Sequence, residues 1–272
     1  MNMLYFYFSN SIDSYMDIMF ALDKMNQIIV ESDNEDSIDG DQDYRVMRSK
    51  LFAEKSLMLI RPQIIANVLY NFLDRVGVQS IYRYDIFKRR AYDADLTNRA
   101  FNLDNGISFY EKLLINNKSP YIRHQYALFL QRKGRIDLAW TQINAAYTES
   151  KKKIFSIANT HAIIMFELNI SNDTKDVEQL RILKNTVDKS FSTLEDCVTK
   201  DVRVNYHTLV YARNAIRYYE KYGVDEYSMK YIDSALSQLD TLLNSDNYIF
   251  RGTMEELKNL QIELLGIKDR LI

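Results

Sequence analysis

The side chains best suited to chemistry in this sequence are three histidines, His124, His161 and His207, and a single cysteine, Cys197. No histidine has another histidine or a cysteine three to five residues away, the spacing that zinc motifs use, so we expect no metal site. The glycine-rich phosphate loops GxxxxGK[S/T] and GxGxxG are missing, as is the GxSxG of serine hydrolases. The sequence therefore predicts a protein that is not an enzyme and that uses no cofactor.

Two of these residues have an ordinary structural explanation. A nucleophilic Cys197 would need a histidine such as His207 on a facing helix, whereas cysteines in helices usually serve as small apolar side chains. His161 is flanked by Ala162 and Ile163, which is typical of a core histidine. A lone cysteine also excludes a disulfide within the chain and fits a reducing, cytoplasmic setting.

The composition favours an all-α fold. Only 7 glycines and 2 prolines occur in 272 residues, and both residue types break helices and populate the turns of strand-rich folds. A 47% apolar content can build a core, and the net charge of −2 gives no reason to expect nucleic acid or a membrane surface. Polar Ser9, Asn10 and Asp13 interrupt the apolar start too early for a signal sequence or a membrane span.

An acidic segment, residues 31–43, predicts a loop, because its many carboxylates cannot bury apolar surface. We tested it as a calcium-binding EF-hand. An EF-hand loop needs glycine at its sixth position, and placing Gly40 there puts Glu35 at the first position and Val46 at the twelfth. The twelfth position must supply a bidentate carboxylate. Valine cannot supply that ligand, so this reading is rejected.

A basic segment follows, with Arg83, Lys88, Arg89 and Arg90 interleaved with tyrosines. This mixture is compatible with nucleic-acid contact. A solvated helix face explains it as well, so both interpretations stay open.

Apolar spacing predicts an irregular helical region over residues 1–104. Its helices are expected from about Ser11 to Val30, over Tyr44–Ile60, and from Pro62 to about Val76, with a further helix after residue 80. The buried stripe of the Pro62 helix is predicted to contain Ile65, Val68, Leu69, Phe72 and Val76.

The clearest unit of the second region, residues 105–272, is Ser119–Ser150, which predicts two amphipathic helices joined at Gly134. Small residues at Ala127, Ala139 and Ala146 allow close helix packing. A looser copy lies 89 residues later, and it consists of Tyr219, Gly223, Ser228, Ile232 and Ala235.

This spacing resembles the tetratricopeptide repeat, although Arg123 replaces the usual tryptophan and Lys151 the terminal proline. Residues 44–170 also resemble the C-terminal sensing part of bacterial STAND-type ATPases and sirtuin-like antiphage defence proteins. The resemblance implies a solenoid of antiparallel helix pairs with a concave binding face.

The same resemblance implies which side chains line that face. In the early copy they include Tyr121, His124, Gln131 and Arg132. In the late copy they include Arg213, Arg217 and Lys221, and Tyr206 lies on the same side of its helix as Arg213. The two arginines are one turn apart and suit a carboxylate or an acidic peptide. Pairing with acids of a neighbouring helix is the alternative.

We therefore expect a protein-interaction module that binds a protein or peptide, as sensor or scaffold of a defence system. Nucleic-acid binding through residues 83–90 and an enzyme of unrecognised type are the alternatives. Self-association and an upstream ATPase or effector domain are left open as partners, and no membrane association is expected.

Overall fold

The structure of this protein is a computed structural model. It describes residues 29–32, 44–47, 59–74, 92–116, 118–201, 204–245 and 251–270. Within those ranges the regular structure is helical apart from one short two-stranded ribbon, so the predicted all-α class is confirmed at that level.

The ribbon pairs β1, Ile29–Ser32, with β2, Tyr44–Met47, in antiparallel register. The prediction of helix at Ile29, Val30 and Tyr44–Met47 is wrong, and so is that of a loop at Glu31 and Ser32. Tyr44 and Val46 are residues that favour strands, and pairing across the acidic segment supplies the backbone hydrogen bonds that a helix start would have supplied locally. Residues 33–43 of the predicted acidic loop lie outside the described residues.

Four helices follow. They are α1, Pro62–Phe72; α2, Ala94–Ala100; α3, Leu103–Asn116; and α4, Pro120–Arg132. Pro62 occupies the first turn of α1 as predicted, where its missing N–H costs no helical hydrogen bond. Ile65, Leu69 and Phe72 are buried, but Val68 is 48% exposed, so its placement in the buried stripe is wrong.

Six further helices complete the described chain. They are α5, Ile136–Glu149; α6, Phe155–Ile170; α7, Val177–Lys200; α8, Val204–Tyr222; α9, Glu226–Leu243; and α10, Arg251–Lys268. The two helices predicted within Ser119–Ser150 are α4 and α5.

The chain divides into two compact units, residues 1–129 and 130–272, which we call unit 1 and unit 2. The division falls inside α4, later than the predicted boundary at residue 104. The physical reason is that rings of α3 and α4 pack together: Tyr110 stacks on Tyr126 with 5.0 Å between ring centroids, and Phe129 lies 5.6 Å from Tyr110.

The predicted turn between α4 and α5 is confirmed. Gly134 has φ of +75°, a conformation that glycine adopts without steric cost, and the N–H of Arg135 donates to the carbonyl of Leu130. Ala139, Ile143 and Ala146 of α5 are fully buried. Gly223, in the turn between α8 and α9, also has a positive φ, of +69°.

In unit 2 each helix from α5 to α10 contacts the next one along the chain. In addition, α6 contacts α8, and α8 contacts α10. Three fully buried tyrosines tie the core together, because each donates its hydroxyl to a carboxylate at the edge of the core. The pairs are Tyr211 with Glu195, Tyr218 with Asp225, and Tyr231 with Asp188.

Candidate functional site

The predicted binding residues of α4 differ in accessibility. Tyr121 and Gln131 are half-buried and Arg132 is exposed, whereas His124 is only 6% exposed and presents little surface to a partner. Gln131, the member that belongs to unit 2 together with Arg132, donates from Nε2 to Oε2 of Glu167 on α6 at 2.7 Å. This bond links the end of α4 to α6.

The predicted residues of α8 are exposed on one side of the helix, with the buried Val210 between Tyr206 and Arg213. Tyr206, Arg213, Arg217 and Lys221 recur at intervals close to whole helical turns, so they share one side of the helix, and all four are exposed. We call these four residues the α8 row. Tyr206 is 52% exposed and its ring edge packs on His207.

Arg213 is paired with an acid of another helix. Its Nη2 donates to Oε1 of Glu256 on α10, and the two side chains keep 53% and 40% of their surface exposed. Sequence analysis left open whether this arginine pairs with a neighbouring helix, and the structure shows that it does. Lys221 behaves similarly, because its Nζ donates to Asp173 in the segment between α6 and α7.

Arg217 is placed differently. Its guanidinium carbon lies 5.2 Å from the centroid of the fully buried Phe166 ring, a cation–π geometry that orients the group. Its nearest carboxylate oxygen, Oε1 of Glu167, is 3.8 Å from Nη1, which is too long for a hydrogen bond. Within the described part of the chain, the Arg217 guanidinium thus makes a loose ion pair and no hydrogen bond, while its side chain is 44% exposed.

A buried polar network lies on the side of α8 that faces α6. His207, 1% exposed, has Nδ1 at 2.8 Å from Oδ1 of Asn159 and Nε2 at 2.7 Å from Oδ2 of Asp201. Both ring nitrogens of His207 therefore have an oxygen atom within hydrogen-bonding distance. The network ties α6, α8 and the end of α7 together, and so holds the α8 row in place.

Asn214 is a second buried polar residue of α8. It is 4% exposed, and its amide nitrogen Nδ2 has no hydrogen-bond partner among the described residues. It follows His207 by two helical turns and therefore lies on the α6-facing side, next to Arg217. A buried N–H donor without an acceptor is costly, which makes this position notable.

His161 lies away from the α8 row, inside a cluster of rings. Its imidazole stacks on Tyr147 at 4.2 Å between centroids and lies 4.9 Å from Trp140. Burial, with a smaller effect of nearby Lys152, lowers its pKa to about 4. The residue is buried as expected of a core histidine, although its Nδ1 lacks a hydrogen-bond partner within the described residues.

The remaining candidates either lie outside the described residues or are buried. Arg83, Lys88, Arg89 and Arg90 lie outside the described residues. Cys197 is buried, and its thiol lies 3.9 Å from the Phe155 carbonyl oxygen. Among the residues that the structure describes, no group of three or more histidine, cysteine, aspartate or glutamate side chains is arranged to hold a metal. In the same ranges, every helix is too short or too polar to cross a membrane.

Sequence reasoning missed the residues that complete the site. Glu167 and Glu256 are the acids that face Arg217 and Arg213, and Phe166 is the ring beneath Arg217. Each is more than forty residues from its partner along the chain, so no local spacing could reveal the pairing. Asn214 lies between Arg213 and Arg217 along the chain, but its burial depends on how α6 packs against α8.

Comparisons with known proteins identify no similar protein. No protein-family model matches the chain, and neither the curated proteins nor the solved structures contain a match. The function must therefore be argued from the geometry of the α8 row and its neighbours.

Proposed function

We propose that unit 2 is a non-catalytic protein-interaction module and that the α8 row is its binding face. The single observation that carries this proposal is the row itself: one tyrosine and three cations are exposed on one side of α8, and the cations contact α6, α10 and the segment between α6 and α7. Tyrosine and arginine are enriched at the centres of protein interfaces, where they carry much of the binding free energy.

The anchoring of the row supports the proposal. Side chains that are already held by ion pairs and ring contacts lose less conformational entropy when a partner binds. Arg217 is held by the ring of Phe166, so its guanidinium is positioned before binding. Surface cations without such contacts would have to be ordered by the partner.

The arrangement of unit 2 further suggests to us a tetratricopeptide-like stack of helix pairs. In support, α6, α8 and α10 contact one another in order, as the first helices of successive pairs would. The α8 row would then lie on the concave face. The sequence resemblance alone supports a cytoplasmic sensor or scaffold role in a bacterial antiphage defence system.

Site-specific crosslinking in the native host tests the proposed face. A photoreactive benzoylphenylalanine at Tyr206 should yield a discrete protein adduct, whereas the same group at Met229 on α9, 46% exposed, should not. The adduct should disappear when Arg213→Glu and Arg217→Glu are added, because the partner then meets reversed charges.

The matched control reverses two exposed, ion-paired cations of α7. Arg181→Glu with Lys200→Glu changes the charge by the same amount and should leave the adduct intact. Far-UV circular dichroism confirms that each variant keeps its helices. Equal crosslinking at Tyr206 and Met229, or an adduct that survives reversal of both α8 arginines, would refute the proposal.

A further inference from the structure

We propose that Arg217 and Arg213 form a carboxylate site for an acidic peptide segment, and that Glu256 occupies Arg213 until the peptide displaces it. This inference rests on the proposed function, because it names the partner class and a form of self-masking for the same face. It is carried by two differences between Arg217 and Arg213, and by the balance of charge around them.

The first difference is the unused capacity of Arg217. A guanidinium offers five N–H donors in a planar fork that matches a carboxylate, yet this one makes no hydrogen bond within the described residues. The Phe166 ring fixes its plane, and 44% of the side chain remains exposed. Arg217 is therefore positioned for a bidentate ligand that unit 2 itself does not provide.

Glu167 does not take that place, because it is engaged elsewhere. Its Oε2 accepts a hydrogen bond from Gln131 at 2.7 Å, which holds its other oxygen 3.8 Å from Arg217. The glutamate contributes long-range attraction that keeps the guanidinium near α6. It leaves the outward N–H groups available to an incoming carboxylate.

The second difference is the occupant of Arg213. Glu256 already presents a carboxylate to this arginine, so the free protein contains a copy of the proposed contact. Both partners are about half exposed, and ion pairs at such positions contribute little net stability. A peptide carboxylate can therefore replace Glu256 at small cost, since one carboxylate substitutes for another.

The charges around the α8 row are balanced: Glu256, Glu167 and Asp173 face Arg213, Arg217 and Lys221. A balanced face lacks the strong positive field that phosphate-backbone binding needs, and this favours a peptide carboxylate over nucleic acid.

Binding of a defined probe to the full chain tests this inference. The probe is an acetylated, amidated peptide of alternating glutamate and glycine with a fluorophore, and the control peptide carries glutamine in place of glutamate. We expect fluorescence anisotropy to detect binding of the glutamate peptide only. Arg217→Gln should weaken binding about tenfold or more, since hydrogen bonds to charged groups are lost. Arg217→Lys should weaken it almost as much, because lysine cannot bind bidentately.

Self-masking is tested by removing the internal carboxylate. Glu256→Gln should strengthen probe binding about threefold, the order expected for releasing one exposed ion pair. The matched control is Glu178→Gln, which frees Arg181 on α7 with the same change of charge and should not alter the affinity. An equal gain in both variants would show a general charge effect and would overturn the inference.

The two proposals fail in different ways. A specific crosslink at Tyr206 combined with no preference for the glutamate peptide would retain the interaction module and reject the carboxylate site. Probe binding that depends on Arg217, without any crosslinked partner in the host, would support the carboxylate site and reject the proposed function. Binding of the glutamine peptide with equal affinity would also reject the carboxylate site.

Discussion

The two units are stabilised in contrasting ways. In unit 1 aromatic rings pack against one another: Tyr110 stacks on Tyr126. The Tyr110 hydroxyl donates to the Tyr92 carbonyl oxygen at 2.8 Å inside the core. In unit 2 the core also contains aromatic rings, but its tyrosine hydroxyls donate hydrogen bonds to carboxylates at the edge of the core, as Tyr231 does to Asp188. Several ion pairs, Lys184 with Asp225 among them, then connect helices of unit 2 across its surface.

This difference indicates where a partner would bind. Contacts between buried rings depend on shape and cannot be exchanged for contacts with another molecule. Carboxylate and guanidinium groups at a surface can exchange partners at small cost. In the described part of unit 1, side-chain shape therefore determines the packing of the core. In unit 2, groups of a partner can replace the polar contacts at the surface.

The largest expected effect tests the steric character of unit 1. A Cβ atom at Gly106 would lie 1.9 Å from the Phe129 ring, which is fully buried and has no room to move. Gly106→Ala should lower the free energy of unfolding by about 3 kcal/mol, the upper range for overpacking. Urea denaturation measures the change.

The matched control is Gly266→Ala in α10, where an added Cβ would meet no atom within 4 Å. This substitution should raise stability by about 0.5–1 kcal/mol, because alanine favours helix more than glycine does. A stable Gly106→Ala protein would show that the ring packing of unit 1 is more adaptable than the structure indicates.

The second effect concerns acid sensitivity in unit 2. The folded-state pKa of His161 is lowered to about 4 from its usual 6.5, mainly by burial. Between pH 6.5 and about 4, His161 therefore takes up a proton in the unfolded chain but not in the folded chain. Stability is fully present above pH 6.5 and is lost as the pH falls toward 4, with a loss of about 2 kcal/mol already reached at about pH 5.

Urea denaturation at several pH values, compared with His161→Phe, isolates this contribution. The variant should show a smaller loss of stability between pH 7 and 4.5, since phenylalanine retains the ring contacts with Tyr147 and cannot be protonated. Identical pH profiles for the two proteins would contradict the assigned role of His161.

A smaller effect tests the tyrosine–carboxylate pairs. Tyr231→Phe should cost about 1 kcal/mol, because one hydroxyl is lost while Lys230 still pairs with Asp188. Tyr206→Phe, at an exposed ring, serves as the control and should change little. A cost no larger at Tyr231 than at Tyr206 would mean that the edge carboxylates add nothing to the core.

Alkaline pH tests the same pair independently. Burial raises the folded-state pKa of Tyr231 above the usual 10.0, and the bond to Asp188 acts in the same direction. The associated stability is present below pH 10 and is lost as the pH rises further, when the unfolded chain releases the proton first. The free energy of unfolding of Tyr231→Phe, measured by urea denaturation, should therefore fall less steeply above pH 10 than that of the unchanged protein.

The smallest effect concerns the turn after α5. Lys151 and Lys152 have φ of +52° and +60°, a region that strains residues with a side chain. Lys152→Gly should raise stability by about 0.5–1 kcal/mol in thermal unfolding, because glycine adopts this conformation freely. Lys153→Gly is the control, and an equal gain there would argue against local strain.

Local signals explain how much of this fold the sequence could predict. The hairpin around Gly134 was predictable, because small residues, a turn glycine and apolar spacing all lie within one stretch. The strand at Tyr44–Met47 was not, since four residues do not distinguish a strand period from a helix period and the partner strand is distant. Val68 shows the same limit, because helix periodicity alone does not say how wide the buried stripe is.

The candidate site divides in the same way. Arg213 and Arg217 could be named from their spacing on one helix. Whether each is paired depends on Glu256 and Glu167, which only the packing of α10 and α6 brings close. The distinction between an occupied and an available guanidinium is therefore a tertiary property that no local pattern contains.

Hydrogen exchange of the full chain, with and without the glutamate peptide, tests the central claim most directly. We expect slower amide exchange in Val204–Tyr222 and Phe155–Ile170, which carry the α8 row and its support, and unchanged exchange in Glu226–Leu243. Protection confined to Glu226–Leu243 or to unit 1, or no protection at saturating peptide, would contradict the assignment of binding to this face.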